Sequence, residues 1–440
     1  MIMKKNLVLK QKQIISFVKN HFVKGNSPFL KINYFALYED GVGMRKIKKE
    51  IFNLKKKEKK YFLSKVINLI ENFKYKVFFA NNNKKKYYKN LVITWGNKSN
   101  LINGSFVDKY VDLDTKRFKD TFWIILSRNQ FIKTKVNNNI AVIYPQNKIL
   151  NCFYFFFYLI KNLIFEGNKK LIDQDHIIAD IINKLISKNK NFSKIKNLLM
   201  PYEGQAFQKK IFYKQKSINK NLNTFGYDHS APHSIATQMY YTKGSPDKLF
   251  VTGLNTKNSY AKFYNWPKNK ILTTYPSRYK RFKKKDFLNI LFLPYDFIIS
   301  KNIVRGLSSF LNSVPVNSLN KFLIKIHPVK TSDPKHILLK VELESVVKKY
   351  KKKFTNQAKS NLAIVVGFTS TAIVALEYDL QVLHICPDPS LDRYLNYFWS
   401  DIDIKRIDNY CFLYKLKKKS RYLNFKSEDK IKKILKNETN

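Results

Sequence analysis

The stretch that most limits how this chain can fold is Leu362-Ala363-Ile364-Val365-Val366, running into Gly367-Phe368-Thr369-Ser370-Thr371. Five consecutive apolar residues, three of them β-branched, leave no polar face for solvent. They read as a strand buried on both sides, the kind found in parallel sheets with helices on each face. Ala372 to Leu376, closed by Glu377, reads as a helix, and Gln381-Val382-Leu383-His384-Ile385 as the next strand. Upstream, Phe322 to Ile326 forms a similar run that ends in His327-Pro328. Open sheets of parallel strands bind ligands at the carboxyl ends of the strands. An imidazole at one such end, and a glycine followed by hydroxyls at another, therefore mark a candidate site.

The rest of the chain repeats this pattern. Leu91 to Gly96, Phe122 to Ser127, Ile140 to Tyr144, Leu198 to Pro201 and Thr224 to Asp228 read as strands separated by polar loops or helical patterns. So do Leu249 to Gly253 and Asn289 to Pro294. With 440 residues the chain exceeds one ordinary core. The expected fold class is α/β: two Rossmann-like domains facing across a cleft. The expected divisions are a basic, mostly helical segment over 1–90, a first domain over 91–243, and a second over 244–440 that includes a C-terminal helix. Ile14, Ile15, Phe17 and Val18 suggest an apolar face on the first helix.

Ser370 and Thr371 fall where a strand gives way to a helix, so the first backbone N–H groups there lack helical partners. Such a terminus suits a phosphate, Gly367 permits close backbone approach, and His327 can donate to an oxygen. Taken singly, the plainer readings are an N-cap for Ser370 and a strand end for His327. In the first domain, Glu203 follows Leu198 to Pro201, and His229 follows the strand over 224–228. Each places an ionisable group at a strand end, although Glu203 also suits a first-turn acid and His229 a buried core imidazole. The loop holding Gly104, Asp108 and Tyr110 follows a strand end as well, and is a turn or part of an acceptor site.

Lys325-x-His327-Pro328, followed by the glycine- and hydroxyl-rich turn, resembles the nucleotide-sugar half of GT-B glycosyltransferases. The likeness is to bacterial sialyl-, polysialyl- and Kdo-transferases and to the glycerophosphotransferases of teichoic acid synthesis. Tyr202-Glu203-x-Gln205-Ala206-Phe207, Gly226-Tyr227-x-His229-Ser230, Thr94-Trp95-Gly96 and Asn103-Gly104-Ser105-Phe106-x-Asp108-x-Tyr110 are similar to bacterial surface-carbohydrate biosynthesis proteins of that type. The resemblance spans residues 91 to 395. It implies a donor phosphate on His327, Ser370 and Thr371, with Lys325, Gly367 and Glu377 completing the donor side. The implied activity is metal-independent transfer of a sugar, CMP-linked by preference, to a surface-polysaccharide or lipid-linked acceptor, with Glu203 and His229 as the catalytic pair. Glu39-Asp40-Gly41 spells the acidic pair that supplies the base in sialyltransferase-like enzymes, but it precedes nearly all the strand sequence, so Glu39 and Asp40 stand as an alternative base. A related activity, transfer of polyol phosphate from a CDP-glycerol type donor, fits the same motifs.

Charge opens a rival of another class. Lys and Arg number 83 against 31 Asp and Glu, a formal charge of +52, which suits a non-catalytic polyanion-binding protein. Only nine of the 83 are Arg, the rest being Lys amid many Asn and Ile, so much of the charge reads as a solvated coat that would also attract an anionic membrane surface. No helix-turn-helix, zinc-finger or RNP pattern accompanies it, so no specific nucleic-acid partner is expected. Cys152, Cys386 and Cys411 match neither a disulfide framework nor a zinc site, which fits a cytoplasmic protein. The N-terminus lacks a signal-peptide pattern. The apolar run Cys152 to Ile160 is broken by Lys161 and Asn162, too short to span a bilayer. No cofactor is expected; the nucleotide-sugar is a substrate.

Overall fold

The computed structural model describes residues 2–23, 75–79, 87–127, 136–145, 174–297, 299–358 and 360–436. Glu39 and Asp40 lie outside these residues, as do Val18's side chain and the apolar run at 152–165.

The first sheet has eight strands: β1 (Tyr75–Phe79), β2 (Asn90–Trp95), β6 (Thr121–Leu126), β7 (Ile140–Pro145), β8 (Asn197–Pro201), β9 (Asn223–Asp228), β10 (Lys248–Val251) and β11 (Ile271–Thr273). Three short strands, β3 (Leu101–Ile102), β4 (Ser105–Asp108) and β5 (Leu113–Asp114), form a small antiparallel sheet inserted after β2. The order in the large sheet is β1-β7-β6-β2-β8-β9-β10-β11, parallel throughout except for β1. The chain thus moves from β2 outward to β6 and β7, then returns to lay β8 on the other side of β2. That reversal is a topological switch point, with its crevice at the carboxyl ends of β2 and β8.

The second sheet contains β12 (Ile290–Phe292), β13 (Leu323–Lys325), β14 (Leu362–Val366), β15 (Gln381–Ile385), β16 (Ile402–Arg406) and β17 (Cys411–Leu416). Its order is β13-β12-β14-β15-β17-β16, with β12 to β15 parallel and β16 and β17 antiparallel. Here too the chain reverses, with β13 on one side of β12 and β14 on the other. The molecule is therefore an α/β protein with two Rossmann-like sheets.

Strand burial explains the continuous apolar runs. In β6, Phe122, Ile124 and Leu126 point into one core while Trp123 and Ile125 point into another. In β14, Ala363 and Val365 face the core shared with the first sheet, and Ile364 and Val366 face the core beneath the helices Ser300–Ser313 and Pro334–Lys349. Neither face meets water, so alternation with polar residues would cost burial.

One of the expected divisions differs from the structure. The crossing between sheets falls after β11, not near residue 243. Leu249 to Val251 pairs in parallel with β9, with Lys248 opposite Phe225, and so belongs to the first sheet. The Gly244-Ser245-Pro246-Asp247 turn resembles a linker, yet Asp247 is tied back by the Thr224 hydroxyl (3.0 Å) and the Lys216 ammonium (2.9 Å). The described part of the segment before residue 90 holds the helix Ile2–Val23 and an edge strand, β1. The helix Ile2–Val23 packs against the 389–392 region: Gln11 Nε2 donates to the Arg393 carbonyl (3.0 Å), and Ile14 is buried. At the other end, the helix Lys430–Leu435 lies on the first sheet, where Ile431 and Leu435 join Val92 and Phe250.

One buried imidazole holds the second sheet's ligand-side turn. His384 is fully buried in β15; its Nε2 lies 2.7 Å from the Gly367 carbonyl and its Nδ1 3.2 Å from the Tyr414 hydroxyl. Burial pushes its pKa down to about 4, against the pull of the Gly367 bond, so the neutral ring donates from Nε2 and accepts at Nδ1. The unfolded chain gains a proton below about pH 6.5 that this folded ring refuses. Stability contributed by neutral His384 is present above pH 6.5 and lost as pH falls toward 4, by about 1.4 kcal/mol per unit. Denaturant midpoints should therefore decline over that window, and the decline should be shallower in His384→Gln. An unchanged slope in that variant would show that the imidazole does not exclude the proton.

Candidate active site

β8 ends at Pro201, and the chain turns through Tyr202, Glu203 and Gly204 before the helix Ala206–Ile218 begins. Gly204 is at φ +71°, and a Cβ there would lie 2.1 Å from the Gln238 carbonyl oxygen, so only glycine fits. The Gln208 side chain braces the turn: its Oε1 accepts from the Glu203 and Gln205 backbone N–H groups (3.0 and 3.1 Å), and its Nε2 donates to the Pro201 carbonyl (2.7 Å). Lys209, fully buried with its pKa lowered by burial to about 7, donates to the Gln238 and Tyr240 carbonyls (both 3.1 Å) and fixes the facing strand of chain. The Tyr-Glu-Gly-Gln-Ala-Phe-Gln sequence is thus a device for holding one carboxylate still.

That carboxylate is bound at both oxygens. Glu203 Oε2 accepts from Gln205 Nε2 (2.8 Å), and Oε1 lies 3.3 Å from Nε2 of His229, the residue after β9. The pair divides by exposure: the Glu203 side chain is 43% exposed and that of His229 only 3%. Burial would raise the Glu203 pKa, but the His229 bond and, at the acid pH where Glu203 itself titrates, the charges of protonated His229, of Arg278 and of protonated His233 hold it down to about 2. Burial keeps His229 below the usual imidazole range. A neutral His229 with its proton on Nε2 then donates to an ionised Glu203.

Around the pair, Tyr110 packs edge-on against His229 with ring centroids 4.4 Å apart. Arg278 lies over Tyr110 at 5.7 Å and donates from Nη1 to the Ser230 hydroxyl (3.2 Å). Asp228, the last residue of β9, is buried and accepts from the Tyr260 hydroxyl (2.7 Å); burial raises its pKa to about 7.

The second sheet meets this site through His233. Its ring stacks on Phe368 with centroids 4.5 Å apart and planes 10° from parallel. Phe368 follows Gly367, whose φ of +70° turns the chain at the carboxyl end of β14. The carboxyl edges of the two sheets therefore face each other, with Glu203 at one switch point and the 367–371 turn at the other.

On the second sheet, Thr369 Oγ1 accepts from the Thr371 backbone N–H (3.2 Å) and donates to the Thr371 hydroxyl (3.0 Å). The turn thus partly caps itself, while Ser370 at the N-cap position makes no side-chain cap bond. His327, half-buried two residues after β13, accepts at Nδ1 from the Val329 backbone N–H (3.3 Å), which turns Nε2 outward from that cap. Lys325 is exposed on the edge strand.

Other expected residues have different surroundings. Glu377 is not beside the 367–371 turn but at the far end of the helix Thr371–Glu377, where its carboxylate accepts from the backbone N–H groups of Ser420, Arg421, Tyr422 and Leu423. It is a clamp on the returning C-terminal segment, because a carboxylate can collect several orphan donors at once. Gly104, at φ +79°, makes the β3–β4 hairpin turn with Asn103. Asp108 is buried and accepts from the Tyr110 and Val111 backbone N–H groups (2.7 and 3.2 Å), which shapes the loop that carries Tyr110. Of these three, Tyr110 alone touches the Glu203–His229 pair. Among the described residues no three His, Cys, Asp or Glu side chains gather as a metal site, and no helix is long and apolar enough to cross a membrane.

No family model matches the sequence, and no curated protein is significantly similar to it. Among solved structures, a glycosyltransferase from Rickettsia africae is similar over 71% of this chain and 89% of its own, at 10% identity and TM-score 0.33. The apo form of the lipopolysaccharide outer core galactosyltransferase WaaB is similar over 67% and 79%, at 9% identity and TM-score 0.33. A UDP-forming α,α-trehalose-phosphate synthase from Burkholderia vietnamiensis is similar over 69% and 88%, at 8% identity and TM-score 0.36. Likeness this distant says nothing of activity, and the architecture here is read from the sheets themselves.

Sequence reasoning missed Arg278, Asp228, His233 and Phe368. Arg278 sits in the 268–285 stretch, which reads as a basic surface loop; its signal was being one of nine arginines in a chain that otherwise uses lysine. Gly204→Ala provides a direct check on the turn. It should lower the melting temperature by several degrees, as a strained backbone and a carbonyl clash cost about 1–3 kcal/mol. An unshifted melting curve would mean that the turn relaxes freely.

Proposed function

We propose that this protein is a glycosyltransferase that moves a sugar from a nucleotide donor, CMP-linked by preference, to a surface-polysaccharide or lipid-linked acceptor. The observation that carries the reading is the Glu203–His229 pair, set at the switch point of one sheet and facing, through the His233–Phe368 stack, the switch point of the other. Two parallel sheets opposed in this way offer separate walls for two substrates, with an ionised carboxylate between them.

In this reading the donor lies on the second sheet, its phosphate near Ser370, Thr371 and His327, with Lys325 adding positive charge. The acceptor lies against Tyr110 and Glu203. The bond between the sugar's anomeric carbon and the donor phosphate breaks, and the phosphate leaves with the electron pair. The acceptor oxygen bonds to the anomeric carbon and its proton passes to Glu203. Exposure assigns the roles within the pair: Glu203 can reach a substrate, whereas buried His229 is a positioning residue that orients it. A carboxylate with pKa about 2 is a weak base at neutral pH. It suffices where the transition state is oxocarbenium-like and the acceptor proton leaves late. Work at an anionic, cytoplasmic membrane face is consistent with the net charge of +52.

The test is a panel of CMP-, CDP-, UDP- and GDP-linked sugars, with donor binding read by thermal shift and transfer by nucleotide release. One donor should raise the melting temperature of the wild type. Glu203→Gln should bind that donor as the wild type does and lose transfer by about 100-fold or more, the usual range for removing a general base. Transfer that survives in Glu203→Gln would remove the carboxylate from the chemistry. Absence of binding across the whole panel would remove the transferase reading itself.

A further inference from the structure

Beside the Glu203–His229 pair, across the Tyr110 ring that packs on His229, lies a cavity of about 310 Å³. Lys109, Tyr110, Asp112, Arg278, Arg281 and Phe282 line it. Its volume is at the small end of the range for ligand pockets, about 300–1,000 Å³, which suits a single sugar unit. Tyr110 and Phe282 offer ring surface, Ser277 adds a hydroxyl that donates to Asp429, and the rest of the lining is charged. The charges are not equivalent. Asp112 pairs with both Lys280 and Arg281, one negative charge against two positive, so the cluster stays net positive, and Lys109 adds to it. Arg278 is exposed and spends one N–H on the Ser230 hydroxyl, and no carboxylate among the described residues pairs with it. It lines the cavity with guanidinium donors left over, and a planar fork of this kind reads carboxylate or phosphate groups in bidentate fashion.

We infer that the acceptor is anionic: a glycan unit bearing a carboxylate or phosphate, whose charged oxygens are held by Arg278 while its ring lies against Tyr110. The inference rests on the transferase reading for the word acceptor, but the cavity's preference for an anion is a binding property and can be measured without any donor. It explains why an arginine is used here in a chain that builds nearly all of its positive charge from lysine. It also links binding to catalysis, because Arg278 is one of the charges that hold the Glu203 carboxylate in its ionised form. An anion docked on Arg278 offsets that charge, raises the proton affinity of Glu203 and makes it a better base only when the acceptor is in place.

General attraction to a chain with a net charge of +52 must be separated from a specific site. Replacing one of 83 basic residues barely changes the overall field, so a large effect from Arg278 alone identifies a local contact. The experiment is calorimetric titration of the whole chain, at about 0.15 M ionic strength, with three probes: methyl glucoside, methyl glucuronide and methyl glucoside 6-phosphate. At least one anionic probe should bind about tenfold or more tighter than the neutral glucoside, a difference of about 1.4 kcal/mol. The better of the two anionic probes tells carboxylate from phosphate. In Arg278→Gln the preference should fall to about threefold or less, and Arg278→Lys, which keeps the charge but loses the fork, should fall between. Equal binding of all three probes overturns the inference, as does an anionic preference that Arg278→Gln leaves intact, or no binding of either anionic probe at about 10 mM. Failure of the nucleotide-sugar panel with a retained, Arg278-dependent anionic preference would sink the transferase reading and leave the anion site standing.

Discussion

A single hydroxyl sets how the two halves of this protein meet. Tyr394 is fully buried, and its Oη lies 2.8 Å from the Pro232 carbonyl of the first domain and 3.0 Å from the Thr369 carbonyl of the second. Its one proton is shared between loops that carry His233 on one side and Ser370 on the other. Nearby, Trp399 Nε1 donates to the Ser234 carbonyl (2.8 Å), and the Ser234 hydroxyl donates to the Leu391 carbonyl. Each bond satisfies a polar group that would otherwise be stranded in a largely aromatic core, and an unmade bond there costs about 1–3 kcal/mol. The spacing between the two carboxyl edges is therefore fixed by buried polar contacts, which tolerate little sliding, and not by apolar contact alone.

Much of this was legible in sequence, for a physical reason. A strand covered on both faces is apolar at nearly every position, so β6, β8 and β14 announce themselves as runs without alternation, while the buried part of β15 admits a polar side chain only at the hydrogen-bonded His384. The residues directly after such strands are the candidates for a site, which is how Glu203, His229 and the 367–371 turn come forward. Pairing order is a different matter. Nothing in Leu249-Phe250-Val251 says whether it adds to the sheet before it or begins a new one, because both environments bury it equally. The Gly-Pro turn ahead of it then looks like a boundary, although Asp247 binds it back to β9. Long-range partners are hidden for the same reason. Glu377 ends a helix in a ligand-side unit, and only the return of the chain at 420–423 turns its carboxylate into an anchor.

The charge of the chain reads differently once the ion pairs are seen. Lysines on the surface pair with scattered carboxylates, such as Lys340 with Glu344 and Lys419 with Asp379, in exposed contacts worth about 0–1 kcal/mol each. Arginine is used where geometry matters: Arg421 joins Asp401 at 2.7 Å and Asn255 at 3.3 Å, and Arg393 lies over Phe412 at 4.2 Å. Net charge thus merges two kinds of positive charge, a solvated coat of lysines and a smaller set of directed contacts made by these arginines and by buried Lys209.

The electrostatics of the site follow from which acid is left open to water. Asp228 ends β9 and Glu203 follows the adjacent β8 by two residues, close enough that the Glu203 charge disfavours ionisation of Asp228. Asp228 is buried beside the Tyr260 hydroxyl, and burial raises its pKa to about 7; Glu203 is partly open and held by His229, Arg278 and His233, which bring it down to about 2. Environments that push two neighbouring carboxyl groups apart in this way give them separate tasks. Because Asp228 gives up its proton reluctantly, the site holds its negative charge chiefly on one carboxylate, and that carboxylate is the one a substrate can reach. The same division fits the close bracing of the Glu203 turn by Gln205 and Gln208: with the charge concentrated on one side chain, the position of that side chain would decide where a proton is taken in the proposed transfer.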